Sequence, residues 1–219
     1  MPTLLSGPAV APYSGGAPKQ IVLLLHGYGS NGADLIALAP YWQRALPDAL
    51  FLAPNAPERC PGAADGYQWW DLSTYTPQAL AAGAARAAPA LDAYIDAQLT
   101  QHGLDASRLA LVGFSQGTMM ALHAGPRRTR QIAGILGYSG ALTGEAALAQ
   151  EVVTRPPVLL VHGTADAVVP VARMQAAATV LQRLDFAVAT HLTPGLGHSI
   201  DPEGLRLGGE FLSRVLAPA

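Results

Sequence analysis

The sequence holds a single cysteine, Cys60, so no disulfide can form within the chain. Charge is scarce: 13% of the residues are Asp, Glu, Lys or Arg, and the formal net charge is −2. No basic run occurs, which argues against nucleic acid or an anionic membrane surface as partner. No apolar stretch reaches the ~18–20 residues of a membrane span, so none is expected. The start, Met1-Pro2-Thr3-Leu4-Leu5, lacks the basic and apolar regions of a secretion signal. A lone thiol and no targeting segment make a cytoplasmic location the expectation. A phosphate-binding glycine loop is not expected either: no G-x-G-x-x-G is expected after a strand, and no G-x-x-x-x-G-K occurs. Internal repeats, a charged tail and a compositional break that would mark a linker are also lacking. The expectation is therefore one domain over residues 1–219.

Hydrophobic residues make up 50% of the chain, enough for a large core. Apolar runs and helix-type segments alternate from end to end. Strands are expected at Ile21-Val22-Leu23-Leu24-Leu25, Ala49-Leu50-Phe51-Leu52-Ala53, residues 108–112, residues 132–138, residues 157–161 and residues 186–192, with an edge strand or hairpin near residues 4–10. Unbroken apolar runs suit strands covered on both faces, so the fold class is α/β with a mostly parallel central sheet flanked by helices. Helix is expected over 32–46, restarting with Pro40 in a first turn, and from Thr76-Pro77 to Gly103 with a kink at Pro89. Further helices are expected around Val171, Met174, Ala178 and Leu181, and after Asp201-Pro202. Residues 54–75 show no period, and so long a loop in a compact domain is usually functional.

Gly113-Phe114-Ser115-Gln116-Gly117 reads G-x-S-x-G between a strand and a helix. That context lets the chain turn sharply and present a serine hydroxyl at the tip of the turn. A serine needs a base within reach, and the base needs an acid to fix its tautomer. The expected chain order is Ser, acid, His, and Ser115, Asp166 and His198 stand in that order, each after its own strand. Asp201 is the rival acid. Among six histidines, His191 and His162 suit buried structural roles, His102 a helix end, and His123 the far side of the helix behind Ser115. The oxyanion donors are expected to be the backbone N–H groups of Gln116 and of Tyr28, in the loop His26-Gly27-Tyr28-Gly29. A zinc site from His26, His162, Asp166 and His198 is the rival chemistry, without any helical H-E-x-x-H spacing to support it. Neither cofactor nor metal is expected, and Cys60 reads as an incidental thiol.

Leu25-His26-Gly27-Tyr28-Gly29, Trp69-Trp70-Asp71, Gly113-Phe114-Ser115-Gln116-Gly117, His162-Gly163-Thr164-Ala165-Asp166 with Val169-Pro170, and Gly197-His198 follow one another in the chain. In this the sequence resembles the bacterial carboxylesterase/phospholipase branch of the acyl-protein thioesterase family, within the α/β-hydrolase superfamily. The resemblance runs from about Lys19 to the end. It implies a single-domain α/β-hydrolase with little or no lid, a Ser115–Asp166–His198 triad and no cofactor. A small-molecule ester is the implied partner, and relatives suggest a homodimer. Trp70, Leu142 and Val169 are the side chains expected at the substrate. Two departures stand out: Thr118 replaces the second glycine of S-Q-G-G, and Leu142 stands where a larger aromatic is expected. The expected activity is hydrolysis of short- to medium-chain carboxylic esters, with thioesterase or lysophospholipase action as the alternative. A binding protein on the same scaffold is the non-enzymatic rival.

Overall fold

A computed structural model describes residues 5–217. Its main sheet has seven strands in the order β1-β3-β2-β6-β7-β8-β9. These are β1 (Ala9–Val10), β2 (Gln20–Leu25), β3 (Ala49–Leu52), β6 (Leu109–Phe114), β7 (Gly134–Tyr138), β8 (Val158–Gly163) and β9 (Val188–Thr193). Only β1 runs antiparallel to its neighbour; Leu4, at the start of the expected edge strand, lies outside the described residues.

The apolar runs are unbroken because the sheet is covered twice. Ile21, Leu23 and Leu25 pack with α3 (Pro77–His102), α4 (Gln116–Ala124), α5 (Glu145–Glu151) and α6 (Val171–Arg183). Val22 and Leu24 face the other way, toward α1 (Gly32–Leu35), α2 (Ala39–Trp42) and α7 (Pro202–Val215). Successive side chains point to opposite faces, so β2 is fully buried on both.

Capping residues fall where the sequence places them. Thr76 accepts the Ala79 N–H, Pro77 opens α3, and Gly103 closes it at φ 63°. The helix runs on through Pro89. Asp201 accepts the Gly204 N–H and so caps α7.

Four features differ from the sequence reading. The helix over 32–46 ends at Trp42. Residues 54–75 include a small hairpin, β4 (Glu58–Arg59) with β5 (Tyr67–Gln68). The short α5 carries too few residues for a visible period. β9 is an exposed edge, so His191 is only half-buried rather than a core histidine.

After β2 the chain moves outward to β3, then returns through α3 to β6 on the opposite side of β2. The crevice beyond β2 and β6 is therefore the topological switch point, where open α/β sheets bind ligands. The His26–Gly29 loop follows β2 and Ser115 follows β6, so this topology alone makes them neighbours.

Candidate active site

Ser115 joins β6 to α4 with φ 54° and ψ −116°, a backbone conformation that costs a non-glycine residue of order 1–3 kcal/mol. The flanking glycines permit the turn by close approach. A Cβ on Gly117 would lie 1.8 Å from the Leu25 carbonyl oxygen, and one on Gly113 would lie 2.3 Å from the Thr118 nitrogen. The Ser115 N–H donates to the Tyr138 carbonyl at 2.9 Å, which fixes the turn from below.

Thr118 is held in the same place. Its hydroxyl lies 2.8 Å from both the Gly113 and the Tyr138 carbonyl oxygens. Its side chain fills space left open by Gly140, whose added Cβ would come within 2.3 Å of it. The departure at Thr118 is thus matched by a glycine on the neighbouring strand end.

His198 Nδ1–H donates to Asp166 Oδ2 at 2.7 Å, which leaves Nε2 without a protein partner among the described residues, and His198 lines the pocket described below. The imidazole lies against the Phe114 ring with centroids 4.9 Å apart. The Asp166 side chain is fully buried. Its Oδ1 accepts the N–H groups of Val168 (2.9 Å) and Val169 (2.8 Å). Burial pushes the carboxyl up, but the hydrogen bonds from His198, Val169 and Val168 outweigh it and hold the group below the usual carboxylate range. His162 Nε2–H donates to the Val169 carbonyl at 2.8 Å and lies 3.3 Å from Asp166 Oδ2, so it braces the acid's loop.

The loop after β2 is fixed by His26. The Ala56 N–H donates to Nε2 at 2.9 Å, so Nδ1 carries the proton and donates to the Gly27 carbonyl at 2.7 Å. Both ring nitrogens are engaged by backbone, and burial holds this imidazole below its ordinary pKa. His26 therefore has no lone pair to offer a metal. No group of three or more His, Cys, Asp or Glu among the described residues is arranged to hold one.

Residues 27–32, Gly-Tyr-Gly-Ser-Asn-Gly, do spell G-x-G-x-x-G after β2, which corrects the expectation that no such pattern follows a strand. The helix that follows has four residues, and its first N–H groups are taken: Gly32 donates to Asn55 Oδ1 and Asp34 to Asn31 Oδ1. A phosphate would find its donors already used.

Gln116 links these parts. It is buried; its Oε1 accepts the Trp69 N–H at 2.9 Å and its Nε2 donates to the Trp70 carbonyl at 2.8 Å. Trp69 Nε1–H in turn donates to the His26 carbonyl at 3.0 Å. The elbow, the Trp69-Trp70 segment and the His26–Gly29 loop thus form one hydrogen-bonded frame. The backbone N–H groups of Tyr28 and Gln116 donate to no other protein group among the described residues.

Ser115, His198, Tyr28, Gln116 and Val169 line one pocket of about 260 Å³, with Leu72, Tyr75, Phe114, Met119 and Val168 supplying apolar wall. Asp166 lies behind His198. Trp70 and Leu142 do not line this pocket, contrary to expectation. Trp70 packs on α3, where an added Cβ on Gly83 would collide with its ring at 2.4 Å. Leu142 lines a separate cavity against Leu80 and Ala81 at the start of α3. Phe114, Val168 and Leu72 were missed, although each adjoins a motif residue in sequence. Cys60 is buried beside Gly29, with its thiol 3.7 Å from the Pro61 carbonyl.

A parallel sheet wrapped by helices, with a serine on a strained strand-to-helix turn, defines an α/β-hydrolase. The chain belongs to the Phospholipase/Carboxylesterase family, whose profile matches residues 8–216. It is 30% identical to acyl-protein thioesterase 1 of Gibberella zeae, over 90% of this chain and 91% of that protein. It is 26% identical to esterase YpfH of Escherichia coli, over 89% and 82%. Among solved structures it is similar to esterase PE8, with a TM-score of 0.93 and 43% identity, covering 98% of this chain and 100% of that one. The family makes this chain an ester hydrolase. No helix among the described residues is long and apolar enough to cross a membrane.

Proposed function

We propose that the chain is a serine carboxylesterase acting on short- to medium-chain carboxylic esters through an acyl-enzyme. The observation that carries the reading is the 2.7 Å His198–Asp166 hydrogen bond, which engages Nδ1 and leaves Nε2 of His198, in the pocket that Ser115 also lines, available as a base. In this reading Ser115 Oγ attacks the ester carbonyl while His198 Nε2 takes its proton. The carbonyl oxygen becomes an oxyanion and accepts the Tyr28 and Gln116 N–H groups. His198 then passes the proton to the departing alkoxide, freeing the alcohol and leaving an acyl-Ser115 ester. Water, deprotonated by the same imidazole, attacks that ester, and the collapse returns the proton to Ser115 and releases the acid.

Asp166 holds His198 in the tautomer with Nδ1 protonated and stabilises its cation. The pocket volume, about 260 Å³, is below the ~300–1,000 Å³ of drug-sized sites and suits short acyl groups. The experiment is kcat/KM on p-nitrophenyl acetate, butyrate and octanoate for the wild type, Asp166→Asn and His198→Gln. The expected loss is about a thousandfold or more in each variant. Undiminished turnover in His198→Gln would sink the mechanism. A thioesterase reading draws on the name of the Gibberella zeae relative. Turnover of an ester and a thioester of one acyl group separates the two.

A further inference from the structure

Among the described residues, the pocket's walls carry no Lys, Arg, Asp or Glu side chain. Its mouth is apolar: Tyr28, Tyr75 and Val168 are 39%, 52% and 65% exposed, and all three line it. Single exposed apolar side chains need no explanation, but a cluster around a concave site marks a binding surface. The Tyr28 phenol, beside the Cys60 thiol and the Asp71 charge, is pushed up to about 12 and stays neutral.

Two carboxylates adjoin residues of this mouth. Ser30 lines the pocket and donates its hydroxyl to Asp34 Oδ2 at 2.8 Å. Asp71 adjoins Leu72 in the wall, and its carboxylate accepts the Ser73 N–H and hydroxyl, which keep it ionised. Arg59 lies over the ring of Tyr67 at 4.4 Å, and the Tyr67 N–H donates to the Ser30 carbonyl at 2.7 Å, while Arg173 lines the cavity at Leu142. An anionic group entering the pocket would lose its hydration and find no Lys or Arg in the walls in exchange. It would also approach past two carboxylates. A cationic group meets the opposite situation, with two exposed tyrosine rings and two carboxylates at the rim.

We propose that this pocket selects substrates by charge, admitting uncharged and cationic esters and rejecting anionic ones, lysophospholipids with a net negative headgroup among them. The inference rests on the ester-hydrolase reading above and narrows its substrate class. It separates the carboxylesterase from a lysophospholipase of net-anionic headgroups on chemistry rather than on size.

Three butyrate esters differing only in the charge of the alcohol test it: 3,3-dimethylbutyl butyrate, butyrylcholine and 2-sulfoethyl butyrate, followed by pH-stat, with p-nitrophenyl butyrate as the activity control. At an ionic strength of about 10 mM, kcat/KM for the sulfonate should be about tenfold or more below the neutral ester, with butyrylcholine at or above it. The gap should narrow in about 0.5 M salt, which screens the rim carboxylates. Asp34→Asn with Asp71→Asn should raise the sulfonate's kcat/KM about threefold or more at low salt and leave the neutral ester unchanged. Equal turnover of all three esters at low salt, with the control active, overturns charge selection alone. Loss of activity on every ester, the control included, overturns the hydrolase reading and this inference with it. If the double variant fails to fold, the wild-type salt dependence decides: a sulfonate rate flat in salt contradicts the proposal.

Discussion

Two concavities invite comparison. The larger, about 750 Å³, lies between α2 and α7 and is lined by Tyr41, Trp42, Ala45, Ile200, Leu205 and neighbours. The smaller, about 260 Å³, lies at the crevice beyond β2 and β6. Volume favours the first. Chemistry favours the second, where a strained serine, a histidine with a fixed tautomer and two unengaged backbone N–H groups converge. The groove's polar groups include Arg206, ion-paired with Glu210 and with Glu203 beside it, and a tryptophan whose indole N–H is already donated to the Leu205 carbonyl at 2.9 Å. A functional site is recognised by groups held ready to react, at a cost in backbone strain and unsatisfied donors, and not by the space available.

Substitutions on the two sides should separate cleanly. Ser115→Ala should lower kcat/KM on p-nitrophenyl butyrate by about a thousandfold or more, whereas Tyr41→Ala in the groove should leave it unchanged. Steady-state kinetics on both proteins measures this, and a large loss in the groove variant would break the comparison. Acid should act on the pocket side. His123 lies on α4 directly behind the elbow, and burial depresses its pKa to about 4. As pH falls below about 6.5 the unfolded chain takes that proton first, so stability is lost progressively down to about pH 4 and is unaffected above 6.5. The contribution is at most about 3 kcal/mol. Urea melts across this range should show the loss in the wild type and a shallower one in His123→Gln.

Trp69→Phe keeps the ring but removes the indole donor to the His26 carbonyl. It should lower kcat about tenfold or more with little change in KM, since the Tyr28 N–H would no longer be held for the oxyanion. A change in KM alone would assign Trp69 to binding instead. The smallest effect belongs to the groove. Trp42→Phe should cost about 1 kcal/mol of stability through the lost bond to Leu205, with unchanged turnover. Thermal melts beside an ester assay test both halves.

The parts of this site differ in how well the chain reveals them. Ser115, Asp166 and His198 can be read because each follows an apolar run, and parallel strands must end along one edge. The caps Thr76, Gly103 and Asp201 can be read because capping is local chemistry. Which side chains face the pocket cannot be read locally. Trp70 turns to α3 because Gly83, distant in sequence, leaves room for its ring. Leu142 is drawn to the cavity at Leu80. β9 looks like an inner strand because its apolar residues are dense, yet no strand among the described residues pairs beyond it. The frame through Gln116 is equally hidden, since it joins segments 43 to 47 residues apart.

The central claim is that Ser115 is an activated nucleophile. Intact-mass analysis after a fluorophosphonate probe, on the wild type and Ser115→Ala side by side, tests it most directly. The account predicts one adduct on the wild type, none on the variant, and protection of the wild type by a competing neutral ester. An unlabelled wild type that nonetheless folds and binds the ester, or a variant labelled as fully as the wild type, would contradict it.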